Sequence, residues 1–391
     1  MPFIGNQPAK VPLTSADITD GIIVNADISS TAGITLNKLS GNPNFRNIVI
    51  NGDMQIAQRS TSVASITTSG YYTLDRFQTV MSSLGTWTMS QSTDVPSGYG
   101  FAKSLKLDCT TADASPSAGD ILYICQIVEG QNLQYLKKGT ANAQSLTLSF
   151  WVKSTKTGTF IAQLLDGDNT RSISKSYTVS ASNTWEFKTV TFSGDTTGAF
   201  DNDNAGSLQL NFWLGAGTTY TSGTLQTTWG TQTNANMAVG QVNIADSTAN
   251  DFLITGVQLE AGTSATDFEF LPIDVSLARC YRYYQKLFNS GAFAYPSAIT
   301  LIAAGTTVAY GPLSFLTPMR TTPTYTSSGN LRLVDQGTGF AITSSAIDGA
   351  RSGTQNVEIN FGVASGLVQF RPYHVENNND ATASLNFSAE L

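Results

Sequence analysis

Between residues 71 and 259 the chain alternates apolar and polar positions in short runs separated by turn residues. The runs 71–80, 84–91, 101–109, 121–128, 145–153, 159–165, 173–179, 185–193, 207–214 and 252–259 each read as a strand, because a period of two sends successive side chains to opposite faces of a sheet. Upstream, 47–53 (NIVINGD) reads as a strand entering a turn. Two runs are the most explicit. In SLTLSFWVK, Leu146, Leu148, Phe150 and Val152 share one face, and Thr147, Ser149, Trp151 and Lys153 the other. In SLQLNFWLG, Leu208, Leu210, Phe212 and Leu214 oppose Gln209, Asn211 and Trp213. Many short strands with no long helical period predict an antiparallel sandwich over 42–272. The polar stretch 216–251 breaks the pattern; it is expected to be long loops with a short strand near 237–244, and Trp229 and Met237 are its only large candidates for burial.

After this body the period changes. Leu277, Tyr281, Tyr284 and Phe288 recur at intervals of four, three and four, which predicts a connecting helix over 273–288, N-capped by Asp274 and stopped by Asn289-Ser290-Gly291. Arg279, Arg282 and Lys286 form a separate basic row. A helix of about fourteen residues is marginal alone in water, so its stripe must dock. The partner is either its own sandwich or a coiled-coil seam with symmetry mates, since this spacing fits both.

Residues 289–391 return to a period of two. Val357, Ile359, Phe361 and Val363 alternate with Glu358, Asn360 and Gly362. In SLNFSAEL, Leu385, Phe387, Ala389 and Leu391 share a face, so a C-terminal β-sandwich with its last strand tucked into a sheet is expected. Residues 1–41 carry too few apolar positions to fold alone. They hold a short echo, Ala16-Asp17-Ile18-Thr19 and Ala26-Asp27-Ile28-Ser29, followed by Ile34, Leu36 and Leu39. They read either as a disordered tail or as an extended arm that orders on a partner. The fold expected is thus all-β: arm, sandwich, one short helix, second sandwich.

Composition narrows the function. Only 13% of the 391 residues are charged and the net charge is −7; without clustered Lys and Arg a phosphate-tracking groove is not expected, and nucleic acid is set aside as a partner. No apolar run approaches a membrane span. The N-terminus lacks an apolar signal region, and Cys109, Cys125 and Cys280 show no metal-ligand spacing, so synthesis in the cytoplasm with reduced thiols is expected.

Catalytic chemistry finds little to stand on. His374 is the only histidine, there is no nucleophile motif, and neither a Walker A sequence nor a dinucleotide fingerprint is present. A glycosidase would need only two carboxylates, but the long solenoid period on which polysaccharide depolymerases usually display them is missing. No enzymatic activity, cofactor or metal is expected. The runs 166–169 and 201–206 superficially resemble calcium loops, but position twelve from Asp201 is Phe212 rather than Glu, so solvated turns are preferred, with a structural calcium ion kept as an alternative. A tryptophan among hydroxyls and amides suits stacking on a sugar face, which makes Trp151, Trp213, Lys153 and Asn211 the ligand candidates. Trp87, Trp185 and Trp229 are read as core, and loops near Tyr310, Tyr325, Tyr373 and His374 as an alternative ligand surface.

The run GVQLEAGTSATDFEFLP followed by ARCYRYYQ resembles a segment of bacteriophage tail-fibre and related virion proteins, where it closes a jelly-roll domain and leads into a short helix. NIVINGDMQIAQRSTS with YYTLDRF resembles the start of the same module, and PMRTTPTYT is similar to the opening strand of fibre tip domains. The resemblance implies a jelly-roll body and a homotrimer with Leu277, Tyr281, Tyr284 and Phe288 at its seam. It also implies an arm that attaches to other tail proteins through Ile18, Ile28, Ile34 and Leu36. The function it implies is host-surface glycan binding on the virion. A purely structural connector or decoration protein is the rival, and a polysaccharide depolymerase a third reading.

Overall fold

The computed structural model describes residues 45–287 and 297–391. Ile18, Ile28, Ile34, Leu36 and Phe288 lie outside the described residues.

The body is a sandwich of two antiparallel six-stranded sheets. Its strands are β1 (Ser62–Ile66), β2 (Gln78–Ser82), β3 (Thr86–Ser92), β4 (Ser104–Thr111), β5 (Ile121–Glu129), β6 (Leu146–Ser154), β7 (Gly158–Asp166), β8 (Arg171–Val179), β9 (Glu186–Phe192), β10 (Gly206–Ala216), β11 (Gly230–Thr231) and β12 (Asp251–Ala261). One sheet runs β1-β3-β4-β12-β6-β9 and the other β11-β8-β7-β10-β5-β2. The alternation in the sequence sets the inner faces: Leu148, Phe150 and Val152 of β6 meet Leu210 and Phe212 of β10 in one core. Phe150 and Phe212 touch edge to face at 5.1 Å. Each phenyl so enclosed contributes roughly 1.5–3 kcal/mol over leaving it in water.

The segment 47–58 is irregular and mostly buried, bonded to β12 and β5, where 47–53 was expected to form a strand. Its backbone is satisfied by side chains together with single backbone bonds to β12, Ile48 N to Leu259 O and Val257 N to Gly52 O (both 2.9 Å), rather than by a continuous ladder. Asn47 donates to Val257 O (3.0 Å) and accepts from Val49 N and Leu259 N; Gln126 bonds both Ile50 N and Ile50 O. Buried peptide groups need such partners. Gly52 is obligatory here, since a Cβ would lie 2.1 Å from Val257 O. Gln258, Glu260, Thr266 and Glu269 form a matching network where 263–271 folds back along β12.

The stretch 216–251 folds over the outer face of the second sheet through the one-turn helix α1 (Thr218–Thr221), isolated 3-10 turns and β11. No strand forms at 237–244. Single turns there place Met237 and Ala238 on Trp213 and Ile161.

The connecting helix α2 covers Ile273–Tyr281, nine residues, rather than 273–288. Asp274 sits in its first turn, and the N-cap is Pro272 with no side-chain bond. Beyond it Tyr284–Leu287 is a strand, β13, antiparallel to Ser384–Ser388. The four-three-four spacing is therefore interrupted. Leu277 packs on Cys280, Tyr283, Ile50 and Ile56, whereas Tyr284 is buried beneath the Arg59 guanidinium at 3.7 Å.

The C-terminal strands are β14 (Ser297–Ala303), β15 (Val308–Ser314), β16 (Thr324–Ser328), β17 (Leu331–Asp335), β18 (Thr338–Asp348), β19 (Asn356–Val363), β20 (Pro372–Asn377) and β21 (Ser384–Ser388). Six of them close into a barrel, β14-β15-β19-β18-β17-β20, so this β-domain has no open pair of sheets; β13-β21-β16 form a small separate sheet against it. Leu385 and Phe387 of β21 bury in the barrel's core.

Candidate functional site

The outer face of the first sheet carries an exposed aromatic patch centred on Trp151. Its neighbours are fixed by register: Phe187 of β9 and Thr255 of β12 flank Trp151 directly. Phe187 is 48% exposed and its ring lies 5.4 Å from the indole. From the other side the loop after β3 brings Tyr99, 56% exposed, to 4.2 Å. Tyr99 reaches that position between Gly98 (φ 86°) and Gly100 (φ 83°), left-handed conformations that glycine adopts without strain.

Polar groups lock the loop. Asp94 accepts from Lys153 Nζ (2.6 Å) and from Trp185 Nε1 (2.9 Å), and its backbone oxygen accepts from Ser104 Oγ (2.6 Å). Partial burial alone would raise the Asp94 carboxyl; the bonds from Lys153 and Trp185 outweigh it and hold the group below its ordinary value. Lys153 and Asp94 thus neutralise each other beside the rings. Thr189 and Thr191 of β9 remain exposed on the same face. The arrangement offers three apolar ring surfaces bordered by hydroxyls and a matched ion pair, suited to a neutral ligand with apolar faces and polar edges.

Of the candidates chosen from sequence, Trp151 and Lys153 are in this patch. Trp213 and Asn211 are not available to a ligand: each is 2% exposed. Trp213 bonds Gln163 Oε1 (3.0 Å) and lies between Tyr123 and Tyr220, because 216–251 covers that face. Trp185 is half-exposed at the patch rather than core, Trp87 is fully buried, and Trp229 is half-buried with its indole donating to Ser193 O. Tyr99, Phe187 and Asp94 were missed. Phe187 was legible, since in EFKTVTF it shares a face with Thr189 and Thr191; Tyr99 was not, because its place depends on a loop.

The calcium-like runs are engaged within the chain. Asp166 pairs with Lys138 (2.5 Å) and bonds Asn169, and Asp168 accepts from Asp201 N. Among the described residues no group of three or more His, Cys, Asp or Glu side chains could hold a metal ion.

No family model matches the chain, and no curated protein matches it. Solved structures with a similar jelly-roll sandwich do exist, at low identity. The enzymatically active domain of bacteriophage CBA120 tailspike protein 4 is 17% identical, with 55% of this chain and 21% of that chain covered and a TM-score of 0.29. A CBM4 module is 12% identical over 54% of this chain and 97% of its own, TM-score 0.28. A family 11 carbohydrate-binding module of Clostridium thermocellum, in complex with a mixed-linked tetrasaccharide, is 11% identical over 53% and 99%, TM-score 0.25. What this site can do follows from its own residues.

Proposed function

We propose that the protein is a glycan-binding component of a phage tail fibre, and that sugar stacks on the Tyr99–Trp151–Phe187 patch. The observation that carries the binding is the exposed aromatic row in which Trp151 packs against Phe187 on one side and the loop residue Tyr99 on the other, on a sheet face where alternation alone would place polar side chains. Phe187 and Tyr99 keep about half their surface in water, an exposure that burial by a sugar ring would relieve. The virion setting is supported by the resemblance of 47–62 and 256–272 to fibre proteins, and with it come a homotrimer, an attachment arm over 1–41 and binding without turnover. Single shallow sites are weak, and three copies per fibre raise avidity.

The test is titration of the purified protein with a panel of neutral oligosaccharides, followed by tryptophan fluorescence. Trp151→Ala is expected to weaken binding about tenfold or more, the scale of removing one stacked ring and the area it buries, while melting stays near wild type. If no oligosaccharide binds, or W151A binds as well as wild type, the patch is not the site. A protein that fails to bind glycan yet labels intact tails with antibody would be the structural connector instead.

A further inference from the structure

The small sheet β13-β21-β16 turns one face to the barrel and, among the described residues, leaves the other open. Register places its open-face side chains in rows: Tyr284, Ser388 and Thr324; then Lys286, Asn386 and Thr326; then Ser384 and Ser328. With Arg59 they line a groove of about 390 Å³, inside the range of about 300–1,000 Å³ typical of small-ligand sites. The lining is of one kind. It holds five Ser or Thr hydroxyls, one amide, one phenol and two cations, and no carboxylate.

The groove is ordered before any ligand arrives. Tyr284 Oη donates to Asn386 Oδ1 (2.8 Å), Asn386 Nδ2 donates to Ser384 Oγ (2.9 Å), and Ser384 Oγ lies 2.8 Å from Ser328 Oγ. The Lys286 ammonium donates to Arg59 O (3.1 Å). Among the described residues it has no carboxylate in ion-pair reach, and burial pushes it below the ordinary lysine range. Arg59 meets Glu390 at 3.2 Å, but that carboxylate is shared with the buried Arg76. The lining itself thus carries two cations and no carboxylate, with Glu390 and Asp75 lying behind Arg59 and none beside Lys286 among the described residues. An anion beside Lys286 would lift its ammonium back and supply the missing charge.

We infer that this groove is a second binding site, separate from the aromatic patch, and that it takes a carboxylate-bearing saccharide of the uronic acid kind. The carboxylate sits at Lys286 with Arg59 behind it, and ring hydroxyls meet the row positions that reach solvent, Thr326, Ser328 and Ser388. Two features choose a sugar acid over a bare anion. Two cations are few for a phosphate or polyanionic peptide track, and the remaining lining both donates and accepts, as an array of sugar hydroxyls requires. No ring is free to stack, because Arg59 already covers Tyr284, so this site reads charge and hydroxyl pattern where the Trp151 patch reads apolar ring faces.

The test is calorimetric titration of the full chain with trigalacturonate, with neutral galactotriose, inorganic phosphate and hexaglutamate as comparison probes. Saturable binding of trigalacturonate that weakens with salt is expected. Lys286→Met should lower its affinity about tenfold or more, the scale of removing a charge-assisted bond. Thr326→Val, on an exposed side chain, should weaken trigalacturonate and leave the protein folded should K286M prove unstable. Trp151→Ala should change nothing here, which separates this site's failure from that of the aromatic patch. Absence of saturable trigalacturonate binding to about 10 mM, or binding indifferent to both K286M and T326V, would overturn the inference. So would phosphate or hexaglutamate binding as tightly, with T326V inert.

Discussion

Asp75 shows how much a single buried group can set. It is 1% exposed and accepts from Gln58 N (2.9 Å) and from the Gln58 side-chain amide. Burial pushes its carboxyl up to about 6, with Arg59 and the Gln58 bonds pulling back. Because the folded value lies above the unfolded one, the folded state holds the proton longer. This group's contribution is greatest below about pH 4 and is lost as pH rises to about 6, a swing of roughly 2–3 kcal/mol. Asp75→Asn should remove that swing, so the difference in unfolding free energy, mutant minus wild type, should grow by about that amount between pH 4 and pH 7. Denaturant titrations at the two pH values check it, and a constant difference would refute it. Glu129 has the opposite sign. Burial raises it, yet bonds from Arg282 and Tyr283 outweigh burial and hold it low, so its contribution is present at neutral pH and lost in acid. Neither sign was legible in YTLDRF or QIVEG, since each depends on partners distant in the chain.

At the scale of elements the instructive case is 273–288. Helix α2 is there, but it stops at Tyr281 because the next residues have a better use. Arg282 makes a two-bond clamp on buried Glu129 (both 2.6 Å), Tyr283 donates to the same carboxylate, and Tyr284–Leu287 pairs with β21. The last interval of four, from Tyr284 to Phe288, fits a period of two as well as a helix, so the local pattern could not tell a longer helix from a helix followed by a strand. The choice was made by β21, about a hundred residues on. The residues after β21 fasten the joint: Glu390 pairs with Arg76, whose guanidinium also lies 3.5 Å over the Tyr283 ring. Arg320 donates to Ala389 O and Glu390 O, each at 2.8 Å. Breaking a buried pair leaves a naked charge at a cost of about 3–5 kcal/mol. Glu390→Gln is therefore expected to destabilise by that order in urea unfolding, and a change under about 1 kcal/mol would show that the pair is solvated.

At the scale of the whole molecule, oligomeric state is the open expectation, and light scattering at micromolar concentration should report three times the chain mass; a monomer would remove the trimer from the proposal. Tyr284 does not belong to such a seam, being buried in its own chain. The sequence by itself determined the all-β class, ten of the sandwich strands with most of their bounds, the inner faces and the presence of one short helix. It could do so because period-two alternation is a local record of which side of a sheet meets the core. It also marked Trp151 as facing outward. Tertiary structure decided what covers each outward face. Residues 216–251 bury Trp213, while among the described residues Trp151 meets a loop tip with Tyr99 and its strand neighbour Phe187 and stays partly open. Tertiary structure also decided that the C-terminal strands close into a barrel and that β13 leaves the helix. Those outcomes depend on pairings between segments far apart in sequence, whose free energies no local pattern of side chains records.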